Sequence, residues 1–343
     1  MRMMYRATAL AAPLLLSACF GEDEGATVRL SGETMGTTYH VTAVGVPGDL
    51  GEEQIGAAVE EALAAVNASM SNWDPNSEVS LFNAARTTEP VDISPEFAHV
   101  MAAAGRVNAI SGGKFDVTLS PLIELWGFGP KQPGEPVPAD AEISAALEHV
   151  GQAELLSLDG GTLAKRDPLV SVNLSAIAKG YGNDAVAGAL RELGVENYLV
   201  EIGGDLVAAG RNEAGETWKI GIETSETGSR SVEMVLPVGD LGMATSGDYR
   251  NFFEQDGVRY SHLIDPTTGR PITHRTTSVT VLAEDGMMAD ALATAMIVMG
   301  EEAGMKAAEA NGLAVYFISR AEGAEETYVK KASRAFEKLR DAR

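Results

Sequence analysis

Asp290 and Thr294 stand at i and i+4 in Ala289–Gly300, a segment apolar on nearly every face. A helix of that composition must be buried, and a buried carboxylate is costly unless a cation or several donors meet it. Carboxylate plus hydroxyl is hard-oxygen ligation, which suits Mg²⁺ better than zinc. The plainer alternative is an aspartate that serves only the helix dipole. A second segment, Val172-Asn-Leu-Ser-Ala-Ile-Ala-Lys-Gly-Tyr-Gly182, runs from a strand pattern into a helix whose first turn holds Ser175, Ala176 and Lys179. Unpaired N–H groups at a helix start plus one lysine suit a phosphate, although a serine-capped helix with an exposed lysine reads the same way. In Ser111–Leu122, Gly112-Gly113 frees the backbone just before Lys114, Phe115 and Asp116. That would fit the base and ribose of a nucleotide, or equally a helix end leading into a strand. His262 lies in Tyr260–Pro271 beside Asp265-Pro266 and a Thr-Thr-Gly turn, and is either a structural histidine or a general base.

Composition narrows what these groups can be. The chain has 343 residues, 45% hydrophobic, with 26 Lys+Arg against 49 Asp+Glu and a net charge of −23. The hydrophobic share excludes a disordered or fibrous chain, and the acidic balance argues against nucleic acid. One cysteine excludes a disulfide framework and any cysteine-rich metal site, and five histidines disfavour a multi-histidine site. The sequence lacks G-x-G-x-x-G after a strand, a Walker loop, H-E-x-x-H and G-x-S-x-G. Oxygen-bearing side chains and backbone must carry most of the chemistry.

The N-terminus reads as an address. A short basic region, Met1–Arg6, precedes the ten-residue apolar run Ala7–Leu16, about half the length needed to span a bilayer. Leu16-Ser-Ala-Cys19 resembles the lipobox of bacterial lipoproteins, and Cys19 is the sole cysteine. The reading is a signal peptide over 1–18, a lipid-bearing tether over 19–27 and one compact domain over 28–343. A diacylglyceride at Cys19 would suffice for stable anchoring, at the periplasmic face of a membrane, with the inner membrane favoured by the family analogy described below.

Periodicity predicts helices carrying Ile55/Val59/Leu63/Val66/Met70, Phe97/Val100/Met101/Ala104 after Ser94-Pro95, and Ile177/Tyr181/Ala185/Leu190/Leu193 ending at Gly194. A last helix is expected over Val329–Asp341. Strands are expected at 28–30, 39–44, 169–173, 198–202, 218–223, 232–238, 278–282 and 313–318, with hairpins at Gly203-Gly204 and Asp256-Gly257. Pro130–Asp140 reads as a surface excursion. The irregular alternation of strand and helix favours α+β, a single compact domain of mixed or antiparallel sheets with packed helices, over a doubly wound sheet.

Six segments occur in the order found in the FAD:protein FMN transferase (ApbE) family. They are Glu33-Thr-Met-Gly-Thr-Thr-Tyr39, Met70-Ser-Asn-Trp-Asp-Pro-Asn-Ser-Glu-Val-Ser-Leu-Phe-Asn83 and the four already described. The resemblance spans about Arg29 to Ile318. It implies an ApbE-like, T-fold-related architecture and covalent attachment of FMN to a Thr or Ser of a target protein, with FAD as donor, Mg²⁺ required and AMP released. By resemblance, Met35 and Trp73 contact the flavin, and Lys114, Phe115 and Asp116 lie along the adenosine part. Asn173, Lys179 and Ile264 fall on further FAD-binding positions. The carbonyl of Ala176 joins Asp290 and Thr294 around Mg²⁺, and His262 matches a histidine proposed as catalytic. Asn173 replaces the aspartate of many relatives, and Lys114 a small residue. The analogy suggests acceptors among subunits of a sodium-translocating quinone reductase or a related electron-transport complex. A Mg²⁺-dependent FAD pyrophosphatase and a non-enzymatic FAD-binding lipoprotein use nearly the same residues and stay open at this point.

Overall fold

The computed structural model describes residues 25–129, 137–223, 232–248, 252–255 and 257–341. The signal segment, Cys19 and most of the Pro130–Asp140 excursion lie outside them. Among the described residues no helix is long and apolar enough to cross a membrane.

The core element is one eight-stranded antiparallel sheet. We number its strands β1 (Ala26–Thr34), β2 (Thr37–Val46), β3 (Asn197–Ile202), β4 (Asp205–Ala209), β5 (Leu241–Gly247), β6 (Thr276–Ala283), β7 (Ala314–Ala321) and β8 (Ala324–Ala332). Their order across the sheet is their order in the chain. The sheet is therefore a meander, with the other elements inserted between neighbouring strands except the last helix, which follows β8. Alternation places Val279, Val281, Val315 and Phe317 on one face with the long helices. Leu282, Tyr316 and Ile318 turn to the other face with Trp218, Leu236 and Phe336. Both faces of β6 are covered, which is why all but its last residue are buried. This is the α+β architecture that the irregular alternation of elements implied.

Four long helices cover the first face: α1 (Glu52–Met70), α2 (Pro95–Ser111), α3 (Ala178–Glu192) and α4 (Gly286–Asn311, broken at Gly300). The Ser94 hydroxyl accepts the Phe97 N–H at 3.1 Å to cap α2, and Gly112 closes it in the left-handed region. The Gly203-Gly204 hairpin forms with Ile202 opposite Asp205. In the second hairpin Gln255 opposes Val258, and Asp256 lies outside the described residues.

Two expectations fail for local reasons. Leu169 lies in a turn, and residues 170–173 join no sheet, because asparagine side chains take up the backbone groups of Val172, as shown below. Val329 belongs to β8, opposite Ser319, and the last helix begins only at Arg334, after Ser333, whose hydroxyl accepts the Phe336 N–H.

Three glycines fix how α3 and α4 start. A Cβ on Gly180 would lie 2.2 Å from the Gly286 carbonyl oxygen and 2.7 Å from Asp290 Cβ. A Cβ on Gly242 would lie 2.2 Å from the Asp285 carbonyl oxygen. The first turns of both helices and strand β5 thus touch backbone to backbone. The Asp184 carboxylate completes the junction, accepting the N–H groups of Gly286 and Met287, both at 2.8 Å. Burial pushes its pKa up to about 7, and Asp285 adds to the effect against those two hydrogen bonds and Arg191.

Gly180→Ala should therefore lower stability by about 1–3 kcal/mol, whereas Gly188→Ala, whose Cβ would meet only an Arg191 side-chain nitrogen at 3.9 Å, should raise it by about 0.5–1 kcal/mol. Thermal melts of the two variants check this, and equal shifts would refute the close-contact argument. The raised pKa of Asp184 has a definite sign. Folding favours its protonated form, so that contribution is full below about pH 4 and is lost as pH rises to about 7, at no more than about 1.4 kcal/mol per pH unit. Urea melts from pH 4 to 8 should show a shallower decline for Asp184→Asn than for the parent chain.

Candidate active site

The β1–β2 hairpin closes with a two-residue loop, Met35-Gly36, between paired Thr34 and Thr37. Both loop residues have positive φ, 50° for Met35 and 73° for Gly36, as a tight hairpin turn demands. A methionine pays for that conformation where glycine or asparagine would not. Its side chain goes over α3, where Gly182 leaves the room: a Cβ there would lie 2.8 Å from Met35 Cε.

Two asparagines build the opposite wall. Asn83 accepts the Val172 N–H through Oδ1 at 2.7 Å and donates through Nδ2 to the Val172 carbonyl at 2.8 Å. Asn72 donates to that same carbonyl at 2.8 Å and accepts the Leu174 N–H at 3.0 Å. These amides replace a β-partner along residues 172–174, while the Asn173 N–H bonds to the Val117 carbonyl at 2.7 Å. The chain stays extended, so Val170, Val172 and Leu174 are buried while Ser171, Asn173 and Ser175 line a cavity.

That cavity, about 440 Å³, is bounded by Trp73, Ser120, Phe128, Asn173, Ser175 and His262. A second, about 260 Å³, is bounded by Met35, Trp73, Ser175, Ala178 and Lys179. Asn72, Trp73 and Ser175 line both, so the two adjoin beside an indole that is 67% exposed. The His262 ring meets Phe128 edge-on at 6.4 Å between centroids. Phe128 in turn packs against Phe253, and Phe253 stacks on Tyr260.

Behind the smaller cavity sits a charged cluster. Lys179, in the first turn of α3, pairs closely with Asp205 Oδ2 and lies 3.7 Å from Asp290 Oδ1. The lysine side chain keeps 32% of its surface accessible, against 4% and 5% for the two aspartates. Asp290 Oδ2 accepts the Gly180 N–H at 3.0 Å, and Asp205 Oδ1 accepts the Thr245 N–H at 3.2 Å. Burial pushes the Asp290 pKa up to about 6; Lys179 opposes that shift and Asp205 reinforces it. Burial disfavours the Lys179 ammonium, but Asp290 and Asp205 outweigh it and hold the pKa above the usual lysine value. Thr294 is one turn along α4 from Asp290, its hydroxyl 3.3 Å from that of Ser246. Among the described residues no group of three or more His, Cys, Asp or Glu is gathered as a metal cage.

The structure thus brings Met35, Trp73, Asn173, Lys179 and His262 to two adjoining cavities, with Asp290 and Thr294 behind the smaller and half-buried Ala176 in the turn before α3. The side chains of the other residues singled out in the sequence are engaged elsewhere. Lys114 bonds to Asp265, at 2.6 Å and 2.8 Å to its two oxygens, and to Thr267 at 2.7 Å. Phe115 is core. The Asp116 carboxylate binds Thr118 and accepts the Gln152 N–H at 2.8 Å, and burial raises its pKa. Ile264 is buried with Leu122, Trp126 and Ile143. Sequence reasoning missed Asp205, Asn72, Asn83 and Ser246. Asp205 directly follows the Gly203-Gly204 turn, and both asparagines lie within the Met70–Asn83 motif, so the signals were present without roles attached.

Comparison with known proteins gives a consistent picture. The model of the ApbE family matches residues 35–317. A Vibrio cholerae protein named FAD:protein FMN transferase is 45% identical over 328 residues, 96% of this chain and 97% of its own. The Haemophilus influenzae protein of that name is 43% identical, over 98% and 97%. The solved structure of the flavin transferase ApbE from Vibrio cholerae superposes with a TM-score of 0.85 at 44% identity, covering 92% of this chain and 99% of that one. The apo flavinyl transferase ApbE of Pseudomonas stutzeri gives 0.85 at 39%, over 93% and 98%.

The asparagine clamp is directly testable. Asn83→Ala removes both bonds to Val172 and should cost about 1–3 kcal/mol. Amide exchange at Val172 should accelerate at least tenfold, measured by NMR or mass spectrometry. Unchanged protection would mean that the clamp does not hold the wall.

Proposed function

This chain belongs to the ApbE family, and on that footing we propose that it transfers the FMN part of FAD to a threonine or serine hydroxyl of another protein, releasing AMP. The observation that carries the reading is the pair of adjoining cavities, with His262 in the wall of one and Lys179 in the wall of the other. FAD is long, with an apolar ring system at one end and a diphosphate in its middle. Trp73 and Met35 offer a stacking face and a polarizable side chain for the rings. Asn173 and Ser175 offer hydrogen bonds, and the first turn of α3 with Lys179 suits the diphosphate.

In the proposed step the acceptor hydroxyl oxygen bonds to the phosphorus on the FMN side. The bond from that phosphorus to the bridging oxygen breaks, and AMP leaves with that oxygen. His262 takes the hydroxyl proton, while Lys179 offsets the charge that develops on phosphate. Most of the acceleration comes from holding the reacting groups in line.

The residues present fit a Mg²⁺ ion. Two almost dry carboxylates share one ammonium, which leaves one negative charge in the cluster unpaired. Asp290, Thr294 and the Ala176 carbonyl would hold the ion with hard oxygen donors. Once bound it would neutralise diphosphate charge and ease departure of AMP. The lipobox supports a lipid at Cys19 and work at the periplasmic face of the inner membrane, on acceptors such as flavin-bearing subunits of a sodium-translocating quinone reductase or a related electron-transport complex.

The test uses protein lacking residues 1–19, FAD, MgCl₂ and a threonine-bearing acceptor. Mass spectrometry should show a gain of one FMN on the acceptor, matched by released AMP and abolished by EDTA. Asp290→Ala should be inactive at low Mg²⁺ whatever the FAD concentration. His262→Ala should bind FAD but transfer about 10²–10⁴-fold more slowly. Free FMN and AMP without labelling would indicate a pyrophosphatase instead, and intact retained FAD a carrier.

A further inference from the structure

Asp205 has no role of its own in the reading above, yet it makes the tightest contact in the charged cluster. The ammonium of Lys179 is held unevenly, in close contact with Asp205 Oδ2 and 3.7 Å from Asp290 Oδ1, beyond hydrogen-bond length. Asp205 is itself fixed. It starts β4 directly after the hairpin turn, its Oδ1 accepts the Thr245 N–H of β5 at 3.2 Å, and its carbonyl accepts from Asn183 Nδ2 of α3 at 3.0 Å. Asp290 Oδ2 is bound to the Gly180 N–H, so Oδ1 is the oxygen that Lys179 only partly covers.

We infer that Asp205 is a positioning residue: it tethers the Lys179 ammonium away from Asp290 and so leaves the Asp290 carboxylate available to a divalent cation. This deepens the proposed function and rests on its placement of Mg²⁺ at Asp290. The electrostatic argument is simple. With the ammonium held on Asp205, Asp290 Oδ1 keeps no close donor, and a cation gains by binding there. With Asp205 uncharged, Lys179 and Asp290 form a complete pair, and an entering cation must first break it. The tether also keeps the ammonium at the cavity wall, where Lys179 is accessible.

The prediction concerns metal affinity and needs no turnover. Mg²⁺ binding to the full-length chain would be measured by calorimetry with MgCl₂, without FAD, alongside circular dichroism to check folding. Asp205→Asn should bind Mg²⁺ at least tenfold more weakly than the parent chain. Lys179→Met should bind it at least tenfold more tightly, and in that background Asp205→Asn should have a much smaller effect, because nothing is left to tether. Equal weakening in both backgrounds would overturn the inference, since Asp205 would then act through its own charge. Parent-like affinity in Asp205→Asn would overturn it as well. Should Asp205→Asn fail to fold, Lys179→Met alone decides, and unchanged or weaker binding refutes the tether. If the parent chain binds no Mg²⁺, the placement of the metal and this inference fall together, whereas failure in the variants alone leaves the transfer reading intact.

Discussion

The site depends on one steric fact: the starts of α3 and α4 and the edge of β5 approach so closely that only glycine fits at Gly180 and Gly242. That contact lets the Gly180 N–H reach Asp290 and brings Lys179, one residue earlier, to the same carboxylate. Two helix N-termini then point partial positive charge toward a region holding Asp184, Asp285 and Asp290. A side chain at the junction would separate the helices and take from Asp184 and Asp290 the N–H groups they accept across it. The acidic groups are tolerable because the backbone comes to them.

The remaining walls solve a related problem by different means. A run such as Val170–Leu174 has the alternation of a strand, and a strand partner would normally satisfy its backbone. A partner there would also fill the space beside Trp73. Two asparagine side chains do the bonding in less volume, and the space between the walls stays open. The strained Met35 conformation on the other side belongs to the same economy, since it aims a long side chain across α3 where Gly182 makes way.

This explains which parts could be read from the sequence. The α1, α2 and α3 helices, the Gly203-Gly204 hairpin and the buried character of Ala289–Gly300 follow from periodicity and caps, which are local. The 169–173 run reads as a sheet strand because alternation reports burial, and burial is the same whether amide side chains or a neighbouring strand hold the chain. Val329 was drawn into the last helix because a sparse apolar stripe fits either period over so few residues. Among the residues lining the two cavities, Met35, Trp73, Asn173, Lys179 and His262 are legible as parts of peculiar motifs. Asp205 is not: its importance lies in being opposite Lys179, a relation between α3 and β4 that no linear spacing encodes. Lys114 carried the opposite hazard, a conspicuous charge that the fold commits to Asp265.

The meander has a bearing on how such a protein can diversify. Because the strands of the large sheet follow one another in chain order, each insertion leaves the sheet and returns to the adjacent strand. The asparagine-clamped wall and Trp73 come from the insertion between β2 and β3, while His262 comes from the one between β5 and β6. Either can lengthen, shorten or change composition without shifting a register elsewhere. Of the charged cluster, Asp205 begins a sheet strand, while Lys179 and Asp290 stand on α3 and α4 and are fixed by the glycine junction. Variation can therefore accumulate at the mouth of the cavities, while the glycine junction holds the charged cluster in place.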